Sequence, residues 1–261
     1  MKIIDLHCHV YPEAIARKAA ASIRQFYQLG TDEMDGTVHT LLKMGTAAGI
    51  DQFVILGVGM KPDRVGHIND FIAEQVAVQP RFYGFGTIHA KMEDPAAETE
   101  RIARLGLKGI KMHPDSQVFP IDDERLFPMY DAARGKLPIL LHMGDKRYDY
   151  SHPIRLQRVL NLFPGLQVIA AHFGGYSMYE TAYEILKDTD CVFDVSSSLM
   201  FMEDGVAEKY INAYGAERMA FGTDYPLWNP ITETQRFLQL KLTAEQFEQI
   251  GHKTAERILK L

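Results

Sequence analysis

Two imidazoles and a carboxylate stand at alternating positions near the start of the chain, in Asp5-Leu6-His7-Cys8-His9. Residues two apart on an extended strand share a face, so Asp5, His7 and His9 are expected to point one way and Ile4, Leu6 and Cys8 the other. Such a wall is costly to bury unless its groups are hydrogen-bonded or coordinate something. A divalent metal accepts two neutral ring nitrogens at this separation. With ten histidines in 261 residues, one His-x-His is commonplace, and the positions of the other histidines decide its meaning.

Those positions depend on the elements that carry them. Apolar runs of strand length alternate with stretches of helical periodicity: strands over 2–10, 52–58, 82–88, 107–112, 138–142, 166–172, 191–196 and 219–223. Helices are predicted over 13–28, 37–48, 65–79, 95–105, 123–134, 154–163, 176–187 and 206–214, with a closing helical region from 231 to the end. The first helix carries Ile15, Ala19, Ile23 and Phe26 as its apolar stripe, and an acidic, turn-rich loop over 30–36 follows it. Asp94 is an N-cap with Pro95 in the first turn, Glu100 and Arg104 form a solvated i,i+4 pair, and Thr243 with Gln246 fits a capping box. Eight strand–helix units in about 250 residues predict a closed (β/α)8 TIM barrel, slightly elaborated after strand 1. A doubly wound open sheet would show a glycine-rich phosphate turn after its first strand, and here that turn is His-Cys-His-Val-Tyr-Pro. No linker divides the chain, so residues 1–261 are read as one domain.

Composition narrows the function. The net charge of −6 leaves no basic footprint, which argues against nucleic acid and anionic membranes as partners. Cys8 and Cys191 fall in predicted strands and read as small buried hydrophobes of a reducing compartment. There is no basic-then-apolar leader and no apolar run long enough to span a bilayer, so the expected location is cytoplasmic.

In such barrels the active face lies at the C-terminal ends of the strands. The first strand ends in His7 and His9, the third is followed by His89, the fourth by Lys111 and His113, the fifth ends in His142, the sixth in His172 and the eighth in Asp224. Imidazoles and a carboxylate therefore converge on the barrel mouth, a donor set suited to Zn²⁺ or another borderline ion, with Asp5 placed to orient a ring. His39, His67 and His252 fall in helical stretches and read as surface residues. Arg147, Tyr148 and Trp228 lie in loops past strands five and eight, where they can wall a small-molecule pocket.

These pieces carry a resemblance. Asp-Leu-His-Cys-His at 5–9, Gly-Ile-Lys-Met-His-Pro at 109–114, Leu-Leu-His-Met-Gly at 140–144, Ala-Ala-His-Phe-Gly-Gly at 170–175 and Phe-Gly-Thr-Asp-Tyr-Pro at 221–226 resemble the amidohydrolase superfamily. The branch is the amidohydrolase-related one that contains aminocarboxymuconate-semialdehyde decarboxylase. The resemblance implies that His7, His9, His142 and Asp224 hold a metal, most simply one Zn²⁺, and that His172 and Asp224 are catalytic. It leaves Lys111 and His113 as substrate-binding or second-metal candidates, since some superfamily members carboxylate a lysine at this strand end and use it to bridge two metals. Dimers are common in that family.

Metal-activated water acting on a C–N or C–O bond, in an amide, lactone or ester, is the expected reaction. The alternative is metal-dependent decarboxylation of a small unsaturated carboxylic acid. A second alternative is a non-catalytic metal- or ligand-binding barrel.

Overall fold

The computed structural model describes residues 1–30 and 34–261, so part of the loop expected over 30–36 lies outside the described residues. Eight parallel strands run in chain order: β1 (Ile4–His9), β2 (Gln52–Leu56), β3 (Phe82–Thr87), β4 (Gly109–Met112), β5 (Ile139–Leu141), β6 (Val168–Ala170), β7 (Val192–Asp194) and β8 (Met219–Ala220). The ring closes where β1 meets the segment after β8: Leu6 N donates to Phe221 O, Asp224 N to His7 O and His9 N to Tyr225 O, at 2.9, 2.8 and 2.7 Å. This is the (β/α)8 barrel expected from the alternation. Among the described residues no helix is long and apolar enough to cross a membrane.

The apolar residues divide into two layers, as the pleat requires. Val54, Leu56, Phe85, Leu140, Ile169, Val192 and Ala220 form the cluster inside the ring. Their odd-numbered or even-numbered neighbours, such as Phe53, Ile55, Ile139, Leu141 and Phe193, pack outward with the helices. Ala255, Ile258 and Leu259 of the last helix, Thr254–Leu259, join the inner cluster and stop the barrel from below. Inside, Phe85 fills space that Gly109 leaves, since a Cβ at Gly109 would lie 2.6 Å from the Phe85 ring.

Three local expectations are corrected. Strict alternation along β1 fails because the strand carries a bulge: Asp5 pairs with Phe53 and Cys8 with Ile55, leaving Leu6 and His7 opposite one residue of β2. Ile4 and Leu6 therefore join the inner cluster, while His7 and His9 still face inward and Asp5 leaves their row. The first helix, Glu13–Phe26, does not bury its Ile15 stripe, because it lies on the barrel through Ala16, Ala20 and Arg24, and Ile15 is 52% exposed. Glu100 pairs at 2.5 Å with Lys136, in the turn after the neighbouring helix. The Asp94 cap and the Thr243–Gln246 capping box form as read, and Cys8 and Cys191 are buried and free.

Candidate metal and active site

Six of the eight strands deliver a polar residue as they end or just after, at the rim above the apolar plug. His7 and His9 come from β1, Lys111 from β4, His113 and His142 directly after β4 and β5, His172 after β6, Asp194 from the end of β7 and Asp224 after β8; all are buried. Several leave the strands through left-handed backbone: φ is +61° at His172, +54° at Phe173, +49° at Ser197 and +57° at Asp224. Non-glycine residues in this region cost on the order of 1 kcal/mol or more each, and the surrounding hydrogen bonds must hold them there. Gly144, at φ +69°, lets the loops after β5 and β6 touch, because a Cβ there would meet Gly175 Cα at 2.4 Å.

Hydrogen-bond partners fix the tautomers. A carboxylate only accepts, so His7 donates from Nδ1 to Asp194 Oδ2 at 2.8 Å, and its Nε2 lone pair accepts from Lys111 Nζ at 3.0 Å. His172 donates from Nδ1 to Ser196 O and accepts at Nε2 from His142 Nδ1, both at 3.0 Å. His142 Nε2 is thus an acceptor. His113 Nδ1 accepts from Ser116 N at 3.3 Å, so its Nε2 donates to Tyr27 Oη at 2.7 Å, and the Tyr27 hydroxyl faces His142 Nε2 at 3.3 Å. Asp224 sits with Oδ1 at 3.4 Å from His7 Nε2 and 3.6 Å from His9 Nε2, while Ser197 Oγ donates to its Oδ2 at 2.5 Å and is itself held by Trp228 Nε1 at 2.7 Å.

Burial sets the charges. It holds the His7 and His172 imidazoles down to about 4, with Lys111 adding to the effect at His7, and pushes His9, His113 and His142 well below the ordinary range. All five are neutral near pH 7, with lone pairs available to a cation. Burial lowers Lys111 to about 8 and raises Asp224; Asp194, despite its burial, is kept well below the carboxylate range by His7 and His172.

These donors suit a divalent ion. His7, His9 and Asp224 each offer a ligand atom within 4.8 Å of the others. The Nε2 lone pair of His7 already faces a cation, the Lys111 ammonium, and Asp194 orients the ring from behind as a carboxylate behind a metal-ligating histidine does. His142 falls in a different group, with His113 and Asp115, and a third group joins His7, His172 and Asp194. Asp5 does not orient a ring; just before the bulge it accepts from His7 N, Thr223 N and Thr223 Oγ1 and ties β1 to the segment after β8. His89 turns into its own loop, accepting from Lys91 N at 3.0 Å.

Sequence reasoning missed Asp194 and Tyr27. Asp194 was findable, because it occupies the inward position of strand 191–196 by the same alternation that gave His142. Tyr27 carries no such signal; it follows a helix, and only tertiary packing brings it over the rim.

The sequence model of the amidohydrolase family matches residues 4–261. A gamma-resorcylate decarboxylase of Polaromonas sp. is 27% identical over 247 residues, covering 74% of this chain and 75% of its own. Among solved structures, an uncharacterised TIM-barrel protein of Bordetella bronchiseptica superposes with a TM-score of 0.82 at 24% identity, over 100% of this chain and 99% of the other. A dihydroxybenzoic acid decarboxylase of Polaromonas sp., with bound manganese and the inhibitor 2-nitroresorcinol, gives 0.74 at 19% identity, over 100% and 97%. The last two likenesses concern the fold. The expectation of C–N or C–O hydrolysis is corrected here: the two Polaromonas relatives are both decarboxylases. Imidazoles and a carboxylate around a cation serve either reaction, so the residues alone favoured the commoner chemistry.

Proposed function

This chain belongs to the amidohydrolase family, in the branch that contains aminocarboxymuconate-semialdehyde decarboxylase, and from that premise we propose that it is a metal-dependent decarboxylase of a small aromatic carboxylic acid. The observation that carries the reading is a buried ammonium, Lys111 Nζ, set 3.0 Å from His7 and beside the His7, His9 and Asp224 group. Among the described residues Lys111 makes no ion pair within 4.0 Å, so a substrate carboxylate has a cation to meet.

His7, His9, His142 and Asp224 are the residues we assign to a single divalent ion, with residues 1–261 as one catalytic domain. The donors fit zinc or manganese, and the manganese of the Polaromonas relative makes that the ion to load first. Bound there, a divalent ion supplies positive charge that fixes the substrate's oxygens and draws electron density from the ring.

The chain's own groups do the rest. Lys111 and His113 orient the acid. Asp224, held by Ser197, delivers a proton to the ring carbon that bears the carboxylate, with His172 beside it to restore that proton from solvent. As the carbon–carbon bond breaks, its electron pair returns to the ring and CO2 leaves, so the arene carries one proton in place of the carboxylate.

The test is to load the full chain with manganese, measure metal per chain, and follow CO2 release from hydroxylated benzoates. Near one equivalent of metal and stoichiometric CO2 are expected. A fully loaded protein that releases none from any such acid overturns the decarboxylase, and two equivalents with added mass on Lys111 overturn the single ion.

A further inference from the structure

Tyr27 separates two spaces. On its inner side the cavity bounded by His9, Lys111, His113, His142 and Asp224 has a volume of about 10 Å³, room for one water at most. On its outer side a recess of about 330 Å³ begins at the same ring, lined by Lys146, Arg147, Tyr176 and Phe201. Ligand sites for small molecules occupy hundreds of cubic ångströms. No aromatic acid reaches the imidazoles while Tyr27 stays where it is.

The ring is held by contacts of a kind that can be exchanged, hydrogen bonds to His113 and His142 and packing against Phe26 and Tyr176. Tyr27 follows the last turn of the first helix, which buries only Ala16, Ala20 and Arg24 against the barrel. Gln28, the next residue, has φ +56°, a left-handed conformation that costs a non-glycine residue about 1–2 kcal/mol. Arg147 latches the turn, with its guanidinium 5.4 Å from the Tyr27 ring and Nη1 donating to Phe26 O at 2.6 Å.

What Tyr27 supplies to the site is a phenol. Its oxygen accepts from His113 Nε2 and its proton faces His142 Nε2. Whatever displaces it must bring an acceptor to the same place, or the buried His113 Nε2 proton loses its partner.

We propose that Tyr27 is a displaceable stand-in for the substrate's own phenol. It swings toward the outer recess as a hydroxylated aromatic acid enters, and the acid's hydroxyl takes over the contact with His113 Nε2. The inference rests on the decarboxylase reading for its choice of an aromatic acid, and it assigns specificity for the hydroxyl to His113.

Trp228 is the only tryptophan of the chain, and its bond to Ser197 places it one residue from Asp224. Its fluorescence in the manganese-loaded protein reports binding of two probes, 2,6-dihydroxybenzoate and benzoate, without any need for turnover. Wild type is expected to bind the dihydroxy acid at least about tenfold tighter, since a site built around a hydroxyl rejects the analogue lacking it. Tyr27→Phe removes the bonds that entry must break, so both probes should tighten by a similar factor, about two- to tenfold, with their ratio kept. Tyr27→Ala should raise the association rate constant of the dihydroxy acid by about tenfold in stopped flow, because no ring has to leave first.

A Tyr27→Phe protein that loses affinity for the dihydroxy acid alone, collapsing the ratio, shows that Tyr27 stays and bonds the substrate, and overturns the proposal. So do unchanged affinities in Tyr27→Phe, an unchanged association rate in Tyr27→Ala, or a wild type indifferent to the hydroxyls. Release of CO2 does not enter this readout, so the gate and the decarboxylation stand or fall separately.

Discussion

The two ends of this barrel are closed by different physics. Below, Ala255, Ile258 and Leu259 of the last helix press against Ile4, Leu6, Val54 and Ile169, an apolar contact with no titratable group in its buried cluster. Above, the rim holds five buried imidazoles, Lys111, Asp194 and Asp224, roofed by Phe26 and Tyr27 through an arginine latch. The lower closure gains from every apolar area removed from water and has no reason to open. At the upper one, each polar contact replaces one that a ligand or water could make, so its net strength is small and it can be exchanged. Left-handed φ values at His172, Phe173, Ser197 and Asp224 sit at the rim, whereas no residue of the strands below has one. Stability belongs to the lower end and chemistry to the upper.

That division makes the largest test Asp224→Asn. An amide keeps the size of the side chain but cannot deliver the proton, so turnover should fall on the order of 10³-fold while thermal unfolding changes little. A variant that unfolds instead, as a core substitution would, shows the rim to be structural. The converse probe is Leu259→Ala, a 2%-exposed residue of the plug. It should cost about 2–3 kcal/mol, lowering the unfolding midpoint by roughly 5–10 °C in calorimetry, with KM unaltered. A shift in KM without loss of stability would break the separation of the two ends.

How far the sequence reached follows the same line. Alternation of short apolar runs with helical periods revealed the barrel, and strand ends revealed His7, His9, His142, His172 and Asp224, because period-2 order and a C-terminal active face are local and general rules. What escaped was set by tertiary geometry. The β1 bulge moved Asp5 out of the histidine row, an insertion that no composition marks, and Asp194 took over the ring-orienting role from β7, two strands round the ring. Tyr27 reaches the site only because the first helix lies on its small residues instead of its isoleucine stripe. The reaction was the least legible part, since an array that activates water differs little from one that holds a carboxylate.

Asp194 gives the next sharpening. It holds His7 in the tautomer whose Nε2 lone pair faces the cation, so Asp194→Asn should weaken manganese affinity about 10–100-fold in a chelator competition, with the far-ultraviolet dichroism retained. Unchanged affinity would mean that His7 is not a ligand.

The smallest effect lies beside the rim. Glu233 is 2% exposed and paired with Arg236, and burial raises its carboxyl from 4.5 to about 7. A carboxyl whose folded value exceeds its unfolded one contributes stability that is whole below about pH 4.5 and is lost as pH rises through about 7. The ceiling for such a shift is on the order of 3 kcal/mol, and the surviving ion pair reduces what is measured to about 1 kcal/mol. Glu233→Gln should therefore flatten the fall in unfolding free energy between about pH 5 and pH 8 by roughly that amount, read from urea titrations at each pH. The plug's buried side chains Ala255, Ile258 and Leu259 do not titrate, so Leu259→Ala should lower both ends of that profile equally. If it changed the slope instead, the lower closure would be coupled to the rim's protons, and the two ends could not be treated as independent.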